Sequence, residues 1–235
     1  DCVVIERFSK AFAQHPPQWF AQTVIAKRLA ARAVVVGYDF RFGRARAGTG
    51  EMLKQMLPEL VVEELPPLRV QLSDTDEPTV ISSSLIRQRL LAGESISAAQ
   101  LLGRPYCVSG VVVGGDKRGR RIGYPTANIE TDANLMPAAG VYAVHIELEE
   151  GRYDGMLNLG TRPTFGGRKA TVEVHIFDFE RDIYGAAIRI VFYNRIRSER
   201  RFKSSTELRE QLDIDQQCAR ELLAQVGQIE LSSHV

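Results

Sequence analysis

Several things are scarce in this chain, and each scarcity removes a class of function. Cysteine occurs three times in 235 residues, at Cys2, Cys107 and Cys218, far apart and without a C-x-x-C pair. That excludes a disulfide framework or a thiolate zinc site and suits reduced thiols in a cytoplasm. Long apolar runs are missing: Val34 to Val36 and Val111 to Val113 are typical, against the roughly 20 residues a membrane helix needs. Charge of one sign is missing too, because 30 Lys and Arg oppose 29 Asp and Glu for a formal +1. No global field draws the molecule to nucleic acid or an acidic membrane, so any basic site is local. The N-terminus carries no charged start with an apolar core and small-residue cleavage site. It begins at Asp1 rather than Met, which reads as a trimmed piece of something longer. What remains, 44% hydrophobic and 25% charged, is an ordinary globular composition and not a disordered one.

The length suggests two modest domains, and the hydrophobic periodicity changes at Gly103-Arg104-Pro105, which places the boundary between 1–103 and 104–235. Before it, Phe20, Val24 and Ile25 fall at helical spacing after Pro16-Pro17. The β-branched run Val34 to Val36, closed by Gly37, predicts a strand buried on both faces of a parallel sheet. Gly50 to Leu57 reads as a helix, Leu60 to Glu64 as a strand, and Ser82 to Leu91 as a helix ended by Gly93. This alternation predicts an α/β, Rossmann-like half sheet. After Pro105, strands are predicted at Cys107 to Val113, Val141 to Glu149, Tyr153 to Asn158, Thr171 to Phe179 and Ala187 to Tyr193. Five or six such strands predict an antiparallel sheet or small closed barrel. Ser204 to Leu223 adds a helix capped by Ser204 or Ser205, with Leu208, Leu212 and Leu222 facing the barrel.

Three stretches carry chemistry. Gly114 to Gly123 packs four cations and four glycines into ten positions after an apolar strand, so backbone N–H groups and basic heads can cradle a polyphosphate. A solvated hairpin turn would have the same composition. Tyr124-Pro125-Thr126-Ala127-Asn128 sets a hydroxyl and a carboxamide oxygen two residues apart, hard neutral donors that suit Mg²⁺ when substrate phosphates fill its other positions. Thr and Asn after proline are also common turn formers. In Thr171-Val172-Glu173-Val174-His175 the alternation puts Glu173 on one face with Thr171 and His175, and Val172, Val174 and Ile176 on the other. Glu173 is then either a solvated strand residue or a general base.

Taken in order, these stretches resemble the riboflavin kinase domain of bacterial bifunctional riboflavin kinase/FAD synthetase. The resemblance continues through Pro137-Ala138-Ala139-Gly140-Val141-Tyr142, the stretch from Asn158 to Phe165, Asp182-Ile183-Tyr184-Gly185, and Ile196 to Phe202, nearly all of 104–225. It implies a six-stranded antiparallel barrel with a C-terminal helix that phosphorylates the ribityl 5′-hydroxyl of riboflavin with ATP. It also implies Mg²⁺ at Thr126 and Asn128, nucleotide phosphates under the loop from Gly114 to Gly123, and ATP binding by Gly114, Gly115, Asp116, Lys117 and Gly123 of that loop and by Pro125 beyond it. Glu173 becomes the base, and Arg197 a flavin-side contact.

The first half resembles the same family's FMN adenylyltransferase module, which makes FAD from FMN and ATP. Gly37-Tyr38-Asp39-Phe40-Arg41-Phe42-Gly43 matches its flavin-side loop, implicating Asp39, Phe40 and Phe42. Ile81 to Arg87 matches its nucleotide signature, implicating Ser82, Ser83 and Arg87. Serine hydroxyls and free N–H groups at a helix start, with an Arg one turn on, form an anion site, although Ser82 or Ser83 as a plain cap has the same pattern. The family's first strand and H-x-G-H-type histidine pair do not precede these stretches, and His15 does not fit that pattern. The expectation is therefore an adenylyltransferase remnant, doubtful in adenylyl transfer as it stands, from a bifunctional parent. Two other readings compete: a flavin or nucleotide carrier without turnover, and a nucleic-acid binder built on Lys117, Arg118, Arg120 and Arg121. The carrier would not need Thr126, Asn128 and Glu173 together, and the binder is opposed by the neutral total charge and the absence of aromatics in that loop.

Overall fold

The computed structural model describes residues 2–72, 77–115, 119–164 and 167–232, grouped in two compact units, Asp1–Arg69 and Val70–Val235. In the first unit, helix α1 (Lys10–Ala13) starts at a Ser9 cap, and α2 (Pro17–Trp19) runs into a π-wound turn over Phe20–Arg28. Strand β1 (Ala33–Gly37), helix α3 (Gly50–Met56) and strand β2 (Val61–Leu65) follow. The two strands pair in parallel, Ala33 opposite Val61 through Gly37 opposite Leu65. Ala21, Ile25, Phe42, Leu53 and Leu60 form the core of this unit. The expected burial of β1 on both faces is corrected here: Val35 is 60% exposed, because β1 and β2 form a two-stranded sheet among the described residues.

Next along the chain, β3 (Arg69–Val70) pairs briefly with β4 (Thr79–Val80). Helix α4 (Ser83–Ala92) is capped by Ser82, whose hydroxyl accepts from the Leu85 N–H at 3.2 Å, and ends at left-handed Gly93 with φ of 82°. Helix α5 (Ser95–Leu102) follows at once. Both helices belong with the barrel by contact, and the Ala138 N–H donates to the Leu90 carbonyl of α4 at 3.0 Å.

The barrel closes in the order β10-β5-β6-β9-β8-β7, from β5 (Tyr106–Val113), β6 (Ala127–Glu130), β7 (Gly140–Leu148), β8 (Gly151–Thr164), β9 (Gly167–Ile176) and β10 (Ala187–Arg197). All neighbours run antiparallel. Closure removes the free edges an open sheet would expose. Strand alternation decides the inside: Val112, Ile129, Tyr142, Val144, Ile146, Leu157, Leu159, Val172, Val174, Ile190 and Phe192 fill it. Leu157 is fully buried there, so Leu157→Ala is expected to lower the unfolding free energy by about 2–5 kcal/mol, read from the denaturant midpoint.

Helix α6 (Ser205–Ser232) lies on the outside of the barrel. The Ser204 hydroxyl accepts from the Glu207 N–H at 3.1 Å. Ala219 and Leu223 pack with Ala143, Met156 and Phe177 of the outer surface, and Leu212 and Leu222 support them as the spacing predicts.

Candidate active site on the outer face of the barrel

Interstrand register assembles the site. Asn128 of β6 lies opposite Glu173 of β9, which lies opposite Asn158 of β8. Asn158 lies opposite Val141 of β7, and Val141 opposite Arg197 of β10. Each polar member alternates with a residue of the barrel interior, so Asn128, Glu173 and Asn158 all point outward. Directly opposed residues are neighbours at roughly 5 Å. A carboxylate is thereby flanked by two carboxamides on one surface.

A cleft of about 890 Å³ stands over this row. Its floor is Thr126, Asn128, Asn158 and Glu173, one wall is Gly114, Gly115 and Gly119, and the other is Arg197, Glu199, Arg200 and Phe202 with Ser205, Leu208 and Leu212 of α6. The structure thus brings Gly114, Gly115, Thr126, Asn128, Glu173 and Arg197 to one place. Pro125 lies instead on a second cleft, of about 590 Å³, with Arg120, Phe179, Asp182 and Tyr184. Thr126 borders both clefts. Gly123 follows the 3-10 turn Gly119–Ile122 with φ of 89° and lines neither. Asp116 and Lys117 lie outside the described residues.

The Pro-Thr-Ala-Asn strand is held at its entry from two sides. His175 Nδ1–H donates to the Pro125 carbonyl at 2.7 Å, and the Tyr124 hydroxyl donates to Asp213 of α6. Burial and then the Asp213 bond push the Tyr124 phenol up to about 12, so it stays a donor across the working pH range. Burial lowers the His175 pKa, helped by Arg220 and opposed by the Pro125 bond and Asp178. Because the folded value lies below the unfolded one, the unfolded chain takes up the proton first. The contribution of neutral His175 to stability is complete above the unfolded value of about 6.5 and is lost as pH falls from there toward the lowered native value. His175→Gln should flatten the pH dependence of the unfolding midpoint between about pH 7 and 5; an unaltered slope would assign that dependence to other groups.

Arg197 meets a carboxylate inside the protein. Its Nε donates to both Asp215 oxygens at 3.0 Å and its Nη2 to Oδ2 at 2.7 Å, while Nη1 donates to the Ser198 carbonyl at 3.0 Å. Phe202 lies against the guanidinium, 5.5 Å from ring centre to Cζ.

The residues matched to the adenylyltransferase pattern are distributed over the two units. In the first, Asp39 is exposed just beyond β1, Phe40 is half-buried, and Phe42 is a core residue, stacked on Phe40 with centroids 5.5 Å apart. In the second, Ser82 is the α4 cap, and Ser83 and Arg87 are exposed on its first turns. Sequence reasoning gave no role to Asn158, Glu199, Arg200, Phe202 or Asp215. Asn158 carried a usable signal, since it alternates with the apolar Leu157 and Leu159. Asp215 carried one as well, since it lies three residues after Leu212 and four before Ala219, on the stripe that faces the barrel, where a carboxylate needs a partner. Among the described residues no group of three or more His, Cys, Asp or Glu side chains could hold a metal ion.

Comparisons with known proteins bear on the family of the chain. A riboflavin kinase family model matches residues 102–223, and an FAD synthetase model matches residues 1–84. The bifunctional riboflavin kinase/FMN adenylyltransferase of Bacillus subtilis is 39% identical over 228 residues, covering 92% of this chain and 68% of the relative. Its Escherichia coli K12 counterpart is 38% identical over 222 residues, covering 94% and 70%. A solved Streptococcus pneumoniae structure, named a macrolide-efflux protein, is 39% identical with a TM-score of 0.80, covering 91% of this chain and 67% of that one. That name concerns the neighbour; in this chain no helix among the described residues is long and apolar enough to cross a membrane. The chain belongs to the bifunctional riboflavin kinase/FMN adenylyltransferase family, the transferases of flavin cofactor biosynthesis.

Proposed function

We propose that the barrel unit transfers the γ-phosphoryl group of ATP to the ribityl 5′-hydroxyl of riboflavin, giving FMN, in the cleft on its outer face. The observation that carries this reading is the transverse row of Asn128, Glu173 and Asn158, with Thr126 beside it and Arg197 at its far end. The two clefts that share Thr126 suit two substrates meeting there, the flavin toward the Arg197 wall of the larger one and the nucleotide in the smaller one, with its phosphates reaching past Thr126 to Gly114 and Gly115. Glu173 orients the hydroxyl and accepts its proton as the oxygen–phosphorus bond forms and the bond to the β-phosphate oxygen breaks. The remaining work is positioning and charge stabilisation. Gly114, Gly115, Gly123 and Pro125 bind ATP in this reading, together with Asp116 and Lys117, which lie outside the described residues. Arg197 contacts the flavin side.

Thr126 and Asn128 fit a magnesium ion by their donor chemistry: two neutral hard oxygens two residues apart, Thr126 just before β6 and Asn128 within it, both lining the cleft that would take the substrate phosphates. Bound there, Mg²⁺ would neutralise charge on the phosphates. FMN formation should stop on chelation with EDTA and return with added Mg²⁺, and Thr126→Ala should raise the Mg²⁺ concentration needed. A rate indifferent to EDTA would remove the metal from this site.

Adenylylation of FMN to FAD is proposed for the module represented by residues 1–103, with Asp39, Phe40 and Phe42 on the flavin side and Ser82, Ser83 and Arg87 on the nucleotide side. The division of the two modules at 103/104 is part of this reading. Its partners are small molecules, flavin and nucleotide, and not nucleic acid or membrane, and its compartment is the cytoplasm, where ATP is available. The carrier alternative has no support in the comparisons, since the relatives are named as enzymes of both reactions.

A further inference from the structure

We infer that Asp215 is a positioning residue for flavin binding: a carboxylate of α6, wholly buried, that fixes the plane of the Arg197 guanidinium at the edge of the cleft. The inference rests on the riboflavin kinase reading and on Arg197 facing the flavin. Asp215 is 0% exposed and the Arg197 side chain 18%, so the pair is far from a loose surface ion pair. Two nitrogens of Arg197 bind Asp215, and the Gln211 amide one turn earlier in α6 donates to its Oδ1 at 2.7 Å. Neither Asp215 nor Gln211 lines the cleft, whereas Arg197 does.

The arrangement is hard to explain by stability. Burying two ions costs solvation that their attraction only partly returns, and well-packed apolar residues of the same volume often hold a fold as well or better. The pair does order Arg197. An arginine on a flexible stem samples many rotamers, and a ligand that binds it must hold it still. Here the Nε edge is docked on a carboxylate, the Ser198 carbonyl takes an Nη1 hydrogen, and one face lies on Phe202. A guanidinium has five N–H groups, so each Nη keeps a further hydrogen for a ligand. The ordering is done before flavin arrives, which lowers the entropy lost on binding. The same helix, through Asp213, also holds Tyr124 beside the Pro-Thr-Ala-Asn strand, so α6 grips both lips of the cleft.

The test compares Asp215→Asn, Arg197→Gln and the double variant by separate KM values for riboflavin and ATP, with riboflavin binding followed by its fluorescence. An asparagine of equal size turns an N–H toward the guanidinium and frees it to swing. Asp215→Asn should raise the riboflavin KM by about tenfold, the scale of one charged hydrogen bond, and leave the ATP KM within about twofold. The double variant should be no worse than Arg197→Gln alone, since Asp215 acts through Arg197. Equal rises in both KM values, or none, would overturn the inference. Should Arg197→Gln leave riboflavin binding intact, the flavin-side reading of Arg197 itself fails, and the positioning role falls with it. If Asp215→Asn does not fold, Asp215→Glu keeps the buried charge but moves the carboxylate by one methylene and so displaces the guanidinium, and a riboflavin KM equal to wild type there contradicts the inference.

Discussion

Glu173→Gln should reduce FMN formation by about 10²–10⁴-fold, the range of a positioned general base, while riboflavin binding and circular dichroism stay close to wild type. The glutamine has the same shape and occupies the same register position between Asn128 and Asn158. It can still hydrogen-bond a hydroxyl, but it cannot take the proton as the phosphoryl group arrives. Val172 and Val174, its neighbours along β9, are buried in the barrel interior and are untouched by the change, which separates chemistry from folding. Steady-state turnover by chromatography checks this, and a variant that turns over normally would remove the base from Glu173.

Gly115→Ala should be nearly as damaging by another route. A Cβ at Gly115 would lie 2.0 Å from Asn128 Nδ2 and 2.6 Å from its Cγ. These atoms are the end of a side chain, so the carboxamide can rotate away at little cost to the fold. The cost falls on activity, because the displaced group is the proposed Mg²⁺ ligand. A misplacement of about 1 Å in such a group costs on the order of 100-fold, so kcat/KM for ATP should fall by that factor while the melting temperature scarcely moves. Undiminished activity would mean that Asn128 need not stand where it does. The same close approach gives a physical reason for glycine at this position, independent of any backbone φ.

The site was legible where alternation alone determines the answer. Val172, Glu173 and Val174 told which face Glu173 takes, and the barrel packs them accordingly. Register was not legible: that Asn128, Glu173 and Asn158 share one row depends on hairpin lengths and barrel closure, which no local window contains. Strand β6 was missed because it has four residues and follows a proline-threonine pair that reads as a turn. Helix α5 was missed because Ser95 follows Gly93-Glu94 with no side-chain cap to announce a new start. The run Val34 to Val36 was over-read, since β-branched residues predict a strand but not how many neighbours cover it. Phe42, matched to a flavin-side loop, is also a core residue, and its exposure of 6% shows why its identity is constrained by packing as well. The helical spacing of Leu212, Asp215 and Ala219 marks Asp215 as facing the barrel, but that its partner is Arg197 at the end of β10 depends on how the helix docks, which no local window contains.

The central claim is that the cleft outside the barrel phosphorylates riboflavin. It is tested most directly by incubating the chain with riboflavin, ATP and Mg²⁺ and separating riboflavin, FMN and FAD over time. The account predicts that riboflavin is consumed and FMN appears in step with ADP. Riboflavin that binds but remains unphosphorylated at saturating ATP and Mg²⁺ would contradict it and leave a flavin carrier in its place.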